Sequence, residues 1–164
     1  MPSCLQKGGD RFDYRGYLAR IGYEGSMTPS VETLRALHLA HVLSVPFENL
    51  DVHLGQPISL DPPAWFQKIV LRRRGGCCFE LNGLGEGSIS CNVKLKIPGR
   101  ASISFALDPC LPVDYTFANY YHSHSPDSPF AQQCIYTMPT LTGRNIFTDR
   151  RLKIRGDGLR KRFM

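Results

Sequence analysis

The apolar patterning of the sequence changes near Gly83, and this change limits the fold to a helical part followed by a part that contains strands. Before Gly83, apolar residues recur at the spacing of α-helices. Gly83, Gly85 and Gly87 then interrupt a weakly patterned stretch that a stable helix would not span. We therefore expect an α+β fold with two domains, an N-terminal helical bundle over 1–84 and a shorter, β-rich part over 85–164.

Caps, prolines and glycines delimit three helices in the first part of the chain. The first is expected at 10–23, where aromatic and aliphatic residues recur at helical spacing. Thr28 is the expected N-cap of the second helix, which should end at Pro46. The third should begin after Pro62, and an arginine run in its last turn complements the helix dipole before two glycines end it. The segment 51–60 between the second and third helices is expected to be extended.

The second part of the chain carries weaker signals. Residues 92–97 and 101–107 alternate between polar and apolar side chains and are expected to form strands. The stretch 109–129 is rich in proline, serine and aromatic residues, which is typical of a loop. Residues 140–154 resemble a β-hairpin with residues 143–144 in its turn.

Neither a membrane span nor a secretory signal is visible in the 164 residues. No apolar run approaches the roughly 20 residues that a membrane helix needs, and the polar segment 1–11 lacks the apolar core of a signal peptide. We therefore expect a cytoplasmic protein without a membrane partner. In that reducing compartment the six cysteines should be thiols rather than disulfides, since no pair of them has the C-x-x-C spacing.

The net charge of +6 is concentrated at 72–74 and near the C-terminus at 150–162. Clusters of this kind can contact nucleic acid or an anionic cofactor. A solvated strand face together with a frayed C-terminal tail is the simpler interpretation of these charges. Because no recognised nucleic-acid-binding motif accompanies the charge, we expect no nucleic-acid partner.

A pair of adjacent cysteines is the most informative feature for function. It lies in the segment 73–82, which reads R-R-G-G-C-C-F-E-L-N. The two glycines permit a sharp reversal after a basic helix end, so the cysteines should open the next helix. The N–H groups at a helix start, together with Arg74, favour the thiolate form of cysteine. A thiolate is what a nucleophilic or acyl-carrying cysteine needs, and an inert buried cysteine is the alternative.

The cysteine segment resembles the active-cysteine motif R-G-G-x-C-[FY]-E-x-N of the arylamine N-acetyltransferases. A second segment, V-P-F-E-N-L at 45–50, resembles the [IV]-P-F-E-N-L motif of the same family. The match extends over about residues 10–84 in the order and spacing of the family, and a shorter match runs over about 107–154. The chain is therefore identified as a shortened member of that family, with a truncated remnant of its barrel and lid domains.

The resemblance implies a role for each motif residue. Cys78 takes an acetyl group from the co-substrate acetyl-CoA and passes it to the nitrogen of an arylamine or a hydrazine. Arg74 with Glu48 holds in place the segment that carries the two cysteines, here called the cysteine loop. The alternative is that the two residues form only a surface salt bridge. Phe47 lines the amine pocket, or else it is a plain core aromatic residue. Supporting or capping roles fall to two further polar residues of the motif, Glu80 and Asn82.

Two residues of the family's catalytic machinery have no counterpart in this sequence. The family cysteine works with a histidine and an aspartate from a β-rich second domain, and the segment 85–105 matches nothing in the family. An internal deletion with a shifted reading frame would explain that segment. His122 and His124 are the candidate substitutes for the missing histidine, because His38 and His41 should face the helical core.

Two functions from different classes follow from these observations. The chain is either an acetyltransferase that works through an acetyl-Cys78 intermediate, or an inactive remnant that acts at most as a binding protein. Apolar surface that the missing domain would cover predicts self-association. A metal site is not expected, because the potential zinc ligands of the second part lack a recognisable spacing, namely Cys110, His122, His124 and Cys134.

Overall fold

The computed structural model describes residues 13–86, 112–156 and 159–163. The helices in these segments are α1 (Tyr14–Ile21), α2 (Val31–Ser44), α3 (Leu50–His53), α4 (Pro62–Trp65) with a π-helical continuation (Phe66–Leu71), α5 (Cys78–Glu86), α6 (Pro112–His124) and α7 (Pro129–Gln132). The strands are β1 (Phe47–Glu48), β2 (Ile135–Thr140), β3 (Gly143–Thr148), β4 (Arg151–Gly156) and β5 (Leu159–Phe163). The expected combination of helices with a sheet is confirmed, whereas the strands expected at 92–97 and 101–107 lie outside the described residues.

Local capping sets the ends of the first two helices. The Asp13 carboxylate accepts a hydrogen bond from the N–H three residues further on, and Gly22 ends α1 in the left-handed conformation with a φ of 65°. The hydroxyl of Ser30 caps α2 by accepting a hydrogen bond of 3.1 Å from the Thr33 N–H. The N-cap expected at Thr28 is therefore wrong, because Ser30 satisfies the free N–H group of the first turn.

A small apolar core holds the helical part together. Six buried residues from α1, the end of α2, the π-helix and α5 form it: Tyr17, Ile21, Val45, Ile69, Val70 and Leu84. The buried Arg20 side chain donates from Nε to the Ile69 carbonyl at 2.8 Å and from Nη1 to the Ser44 carbonyl at 2.9 Å. These bonds satisfy carbonyl groups near the C-terminal ends of two helices, where a cation also complements the helix dipole.

Two segments contain helices although one was expected to be extended and the other to be a loop. The helix α3 occupies the start of the segment 51–60, and α6 occupies most of the stretch 109–129. Pro112 stands at the first position of α6, where a proline costs no hydrogen bond. The Asn119 side chain donates to the Ile58 carbonyl at 2.7 Å and holds α6 against the N-terminal part. Tertiary contacts therefore outweigh the loop-like composition of this stretch.

The sheet joins the first and second parts of the chain. Its five strands are antiparallel neighbours in sequential order, and the first of them, β1, pairs Glu48 with Tyr136 of β2. The buried Asn49 strengthens this junction. Its side-chain amide donates to the Phe130 carbonyl at 2.8 Å, and its oxygen accepts the Ile135 N–H at 2.7 Å.

The turn between β2 and β3 differs from the expected one. Residues 141–142 connect the two strands, so the hairpin turn expected at 143–144 is wrong. Gly143 instead opens β3 directly against β4, where a Cβ atom would collide with the Arg155 carbonyl oxygen. The glycine is therefore needed for a close approach between two strands rather than for turning the chain.

The surface of α6 carries exposed apolar side chains, namely those of Val113, Phe117, Tyr120 and Tyr121. Self-association through such a surface stays a prediction, which light scattering can test. Among the described residues, no helix has both the length and the apolar character that crossing a bilayer requires.

The helix α2 holds one of the two histidines that were expected to face the core in a partly buried position. His41 Nδ1 lies 2.9 Å from the Tyr17 hydroxyl, whereas His38 is exposed, so the core position expected for His38 is wrong. Burial lowers the pKa of His41 to about 4, and the neighbouring His38 and Arg20 act in the same direction. His41 therefore stays neutral in the folded protein at neutral pH.

We expect the stability of the fold to decrease as the pH falls from about 6.5 to about 4. In the unfolded chain His41 binds a proton near the ordinary histidine pKa of about 6.5, whereas the folded protein resists protonation down to its pKa of about 4. The contribution is complete above pH 6.5 and is lost through this window, by on the order of 2–3 kcal/mol. Urea unfolding at pH 7, 5 and 4 measures it. The His41→Gln variant should lose this dependence, and an unchanged slope in the variant would contradict the assignment.

Candidate active site

The segment before the cysteines reverses the chain at an arginine instead of at the glycines. Arg73 has a left-handed φ of 53° and follows directly after the end of the π-helix. The arginine run is therefore not part of the last helical turn, and the glycines do not end the helix, contrary to the expectation. The glycines allow a close approach to β1. The Gly76 N–H donates to the Pro46 carbonyl at 3.3 Å, and the Glu48 N–H donates to the Gly76 carbonyl at 3.0 Å.

Cys78 is the first residue of α5, so the cysteine pair opens a helix as its position after the glycines indicated. The Glu80 carboxylate caps this helix, because its Oε2 accepts the Cys77 N–H at 2.9 Å. This contact is the backward half of a capping box. The Asn82 side chain is exposed and makes no hydrogen bond within the described segments. The structure therefore shows no supporting contact for this side chain.

Five charged residues form a continuous network beneath the cysteine loop. Arg74 binds Glu48 and Asp51, each at 2.7 Å. Lys68 binds Asp51 at 2.6 Å and Glu80 at 2.8 Å. Asp51 thus connects the two cations, and Glu80 carries the network to the start of α5.

The network is largely buried, although the Arg74 side chain is 32% exposed, so the Arg74–Glu48 pair is a partly buried ion pair rather than an ordinary surface salt bridge. The side chains of Glu48 and Glu80 are only 2% and 4% exposed. Burial disfavours the charged form of Lys68, yet the hydrogen bonds to Asp51 and Glu80 outweigh it and raise the lysine's pKa. Burial likewise opposes the charge on Asp51, but the hydrogen bonds to Lys68 and Arg74 lower its pKa. Lys68 and Asp51 are therefore both charged at neutral pH.

Sequence reasoning missed two members of this network, Asp51 and Lys68. A signal for each was present. Lys68 is the only charged residue in the apolar run W-F-Q-K-I-V-L, and Asp51 directly follows the motif V-P-F-E-N-L. A charge inside an apolar helix face is rarely buried unless it is paired. That rule could have directed the search to an acidic partner.

A small pocket lies where α5 meets α6. It is partly open and has a volume of roughly 10 Å³, and its lining includes residues from both parts of the chain, among them Val52, Cys77, Cys78, Phe79, His122 and Phe130. The Phe79 ring connects the two helices, with its centroid 5.7 Å from the Tyr115 ring and 6.3 Å from the His122 ring. The second part of the chain therefore completes the surroundings of the cysteine pair.

The thiol of Cys78 is less acidic than the helix start alone would make it. Burial raises its pKa, the N–H groups of Phe79 and of Cys78 itself lower it, and the negative charge of Glu80 raises it. The net direction is upward, so the expected preference for thiolate is wrong. The Arg74 cation is occupied by carboxylates and does not contribute. Burial raises the pKa of the Cys77 thiol as well. A base close to Cys78 would therefore assist its ionisation.

One of the two candidate substitute histidines lies beside the cysteine pair. His122 lines the pocket and packs against Phe130 with a ring distance of 5.2 Å. His124 is exposed, stacks on Tyr120 at 4.5 Å and bonds to Ser123. Of the two histidines, His122 is therefore the one that lies at the pocket lined by Cys78.

Phe47 is not part of the pocket lining in the described residues. Its ring packs against Phe130, which does line the pocket, with a centroid distance of 5.6 Å. Within the same residues no group of three or more potential metal ligands comes together. The zinc alternative also involves Cys110, which lies outside them.

The fold combines a sheet with short helices, and a cysteine opens one helix next to a network of charges. Comparison with known proteins identifies the class of protein that has these features. The chain matches the N-acetyltransferase family over residues 30–86 and 101–163, and it belongs to that family. Its relatives are arylamine N-acetyltransferases, so the resemblance predicted from the two motifs is confirmed. Residues 87–100 remain outside the family match, and the internal deletion that would explain them stays a prediction.

The curated relatives are similar to only part of this chain. The arylamine N-acetyltransferase of Escherichia coli is 51% identical over 70 residues, which cover 43% of this chain and 25% of the relative. The arylamine N-acetyltransferase / N-hydroxyarylamine O-acetyltransferase of Salmonella typhimurium is 51% identical over 91 residues, or 54% of this chain and 32% of the relative. This chain thus spans about a quarter to a third of the length of the curated relatives it matches.

Solved structures share the fold over nearly the whole chain. The arylamine N-acetyltransferase of Mycobacterium tuberculosis aligns with a TM-score of 0.81 at 22% identity, covering 93% of this chain and 86% of that one. The Mycobacterium marinum arylamine N-acetyltransferase in complex with CoA aligns with a TM-score of 0.77 at 21% identity, with the same coverage. At these identities the likeness establishes the fold.

Proposed function

We propose that this protein transfers an acetyl group from acetyl-CoA to the nitrogen of an arylamine or a hydrazine through an acetyl-Cys78 thioester. The observation that carries the proposal is the position of Cys78, at the first residue of α5 and in the lining of the pocket. Membership of a family whose relatives are named arylamine N-acetyltransferases supports the same reaction.

The reaction consists of two acyl transfers at one sulfur atom. In the first, the Cys78 thiolate attacks the acetyl carbonyl of acetyl-CoA, a new S–C bond forms, and CoA leaves as its thiol after taking up a proton. In the second, the amine nitrogen attacks the acetyl-Cys78 carbonyl, the S–C bond breaks, and the amine loses a proton. The N–H groups of Cys78 and Phe79, which favour the thiolate, stabilise the charged sulfur in both steps.

The surrounding residues keep the sulfur in position. Glu48 and Arg74 hold the cysteine loop against β1, and Glu80 fixes the start of α5. Phe47 shapes the amine site indirectly, through its contact with Phe130. Preorganisation of this kind lowers the barrier because the nucleophile does not have to be repositioned during the reaction.

The raised pKa of the Cys78 thiol favours a second function. Burial raises the pKa of Cys78, so without an effective base the sulfur would remain protonated and unreactive. The chain would then be an inactive remnant that acts at most as a binding protein.

A steady-state assay of arylamine acetylation tests the proposal. Wild-type protein should acetylate an aniline derivative with acetyl-CoA as donor, and Cys78→Ser should lose at least about 10³-fold in rate, because a hydroxyl does not replace a thiolate nucleophile. Cys134→Ser is the matched control, since Cys134 directly precedes β2 and is not among the described residues that line the pocket. Equal rates for wild type and Cys78→Ser, or no turnover by well-folded wild type, would favour the inactive remnant.

A further inference from the structure

We propose that His122 is the proton acceptor for the Cys78 thiol. This inference deepens the proposed acetyl transfer and assigns a residue of α6 to the chemistry of a cysteine on α5. The described segments would then contain a base for the Cys78 thiol, whereas the sequence has no counterpart of the family's histidine.

The first observation is the shared pocket. His122 and Cys78 line the same small pocket, which has room for about one water molecule at roughly 10 Å³. The Phe79 ring, which belongs to the residue after Cys78, lies 6.3 Å from the His122 ring. No direct hydrogen bond joins the two side chains within the described residues, so the proton exchange that we propose runs through one water molecule, for which the pocket has room.

The second observation is an unused ring nitrogen. The Nδ1 atom of His122 is buried and has no hydrogen-bond partner within the described residues. A buried polar atom without a partner is costly, and such atoms in native proteins require an explanation. A proton exchanged with the nearby thiol during the reaction provides one.

The backbone around His122 is held in place from two sides. The Ser128 hydroxyl, in a residue that is 0% exposed, donates to the His122 carbonyl at 3.0 Å. Asn119, one turn earlier in α6, donates to the Ile58 carbonyl at 2.7 Å and fixes the helix to the part that carries the cysteine. His122 is therefore positioned by contacts that do not use its imidazole.

The other polar groups at the pocket are less suitable as bases. Asn119 and Ser123, which also line it, have no basic side chain. Glu80 is bound by Lys68 and caps the helix. Of the described residues that line the pocket, His122 is thus the one with a basic side chain.

The proton follows a closed path in the proposed step. The Cys78 S–H bond breaks, and its proton moves to the imidazole of His122. The sulfur then attacks the acetyl carbonyl and displaces the CoA sulfur. The imidazolium returns the proton to that leaving sulfur, which yields the free CoA thiol. No oxidant, reductant or further reactant takes part.

The test compares His122→Gln with His124→Gln, its exposed neighbour on the same helix. Two rates are measured at pH 7 in the full chain: alkylation of Cys78 by iodoacetamide, followed by peptide mass spectrometry, and acetylation by acetyl-CoA. We expect His122→Gln to slow alkylation at least about tenfold and acetylation about 10²–10⁴-fold, and His124→Gln to match wild type. Added imidazole should partly restore the alkylation rate in a His122→Ala variant.

The two readouts separate this inference from the proposed function. Dependence of alkylation on His122, without acetylation by acetyl-CoA, would uphold the base and reject the acetyltransferase. Unchanged alkylation of Cys78 in a folded His122→Gln protein would overturn the inference, even if acetylation occurs. Should the His122 variants fail to fold, nitrogen NMR of the His122 ring decides. The ring-nitrogen chemical shifts of His122 at pH 7 should differ between wild type and Cys78→Ala, and identical shifts would overturn the inference.

Discussion

Replacing Lys68 by methionine is expected to destabilise the fold by about 3–5 kcal/mol, because the change removes one partner from a buried network of charges. Lys68 contacts Asp51 at 2.6 Å and Glu80 at 2.8 Å, and the side chains of all three residues are at most 12% exposed. Without the ammonium group, Glu80 loses its cation, and Asp51 keeps only Arg74. Because methionine fills a similar volume, the decrease in the free energy of unfolding would result from the lost charge and not from a cavity.

Urea unfolding at neutral pH measures this effect, with Arg72→Met as the matched control. Arg72 is an exposed cation just beyond the same helix, and its replacement should change the free energy of unfolding by no more than about 0.5 kcal/mol. A Lys68→Met protein within about 1 kcal/mol of wild type would mean that the network does not support the cysteine loop.

Replacing Gly75 by alanine is expected to cost about 3 kcal/mol, the upper part of the range for overpacking a tight site. A Cβ atom at this position would collide with the Pro46 carbonyl oxygen and would lie 2.7 Å from Cγ of Glu48. The obstacle is space alone, since Gly75 does not have a positive φ. To make room, the cysteine loop would have to move away from β1 and from the Arg74–Glu48 ion pair.

Thermal unfolding of Gly75→Ala, beside Gly156→Ala, tests this reading. At Gly156 the nearest heavy atom is the Thr142 hydroxyl oxygen at 3.1 Å, which belongs to a flexible side chain, so that variant should lose no more than about 1 kcal/mol. Equal melting temperatures for the two variants would show that the loop does not depend on its close contact with β1.

The features that could be predicted from the sequence are those that depend on local periodicity and on motifs. Helical spacing located α1 and α2, and the two motifs indicated both the family and the Arg74–Glu48 pair. The cap of α2 was misplaced from Ser30 to Thr28, because both are good capping residues and only the observed hydrogen bond separates them.

The features that could not be predicted depend on contacts between distant segments. The helix α6 has a loop-like composition and is held by Asn119 bonding to Ile58, which lies 61 positions earlier. The raised pKa of Cys78 results mainly from burial, and the burial of a side chain cannot be deduced from a sequence motif. His122 was only one of two candidates until the packing of Phe79 placed it at the pocket.

The most direct test of the account is the intact mass of the protein after incubation with acetyl-CoA, followed by addition of an arylamine. We predict one acetyl adduct in wild type and in Cys134→Ser, none in Cys78→Ala, and discharge of the adduct when the amine is added. No adduct on well-folded wild-type protein, or an adduct that survives in Cys78→Ala, would contradict the assignment of Cys78 as the acetyl carrier.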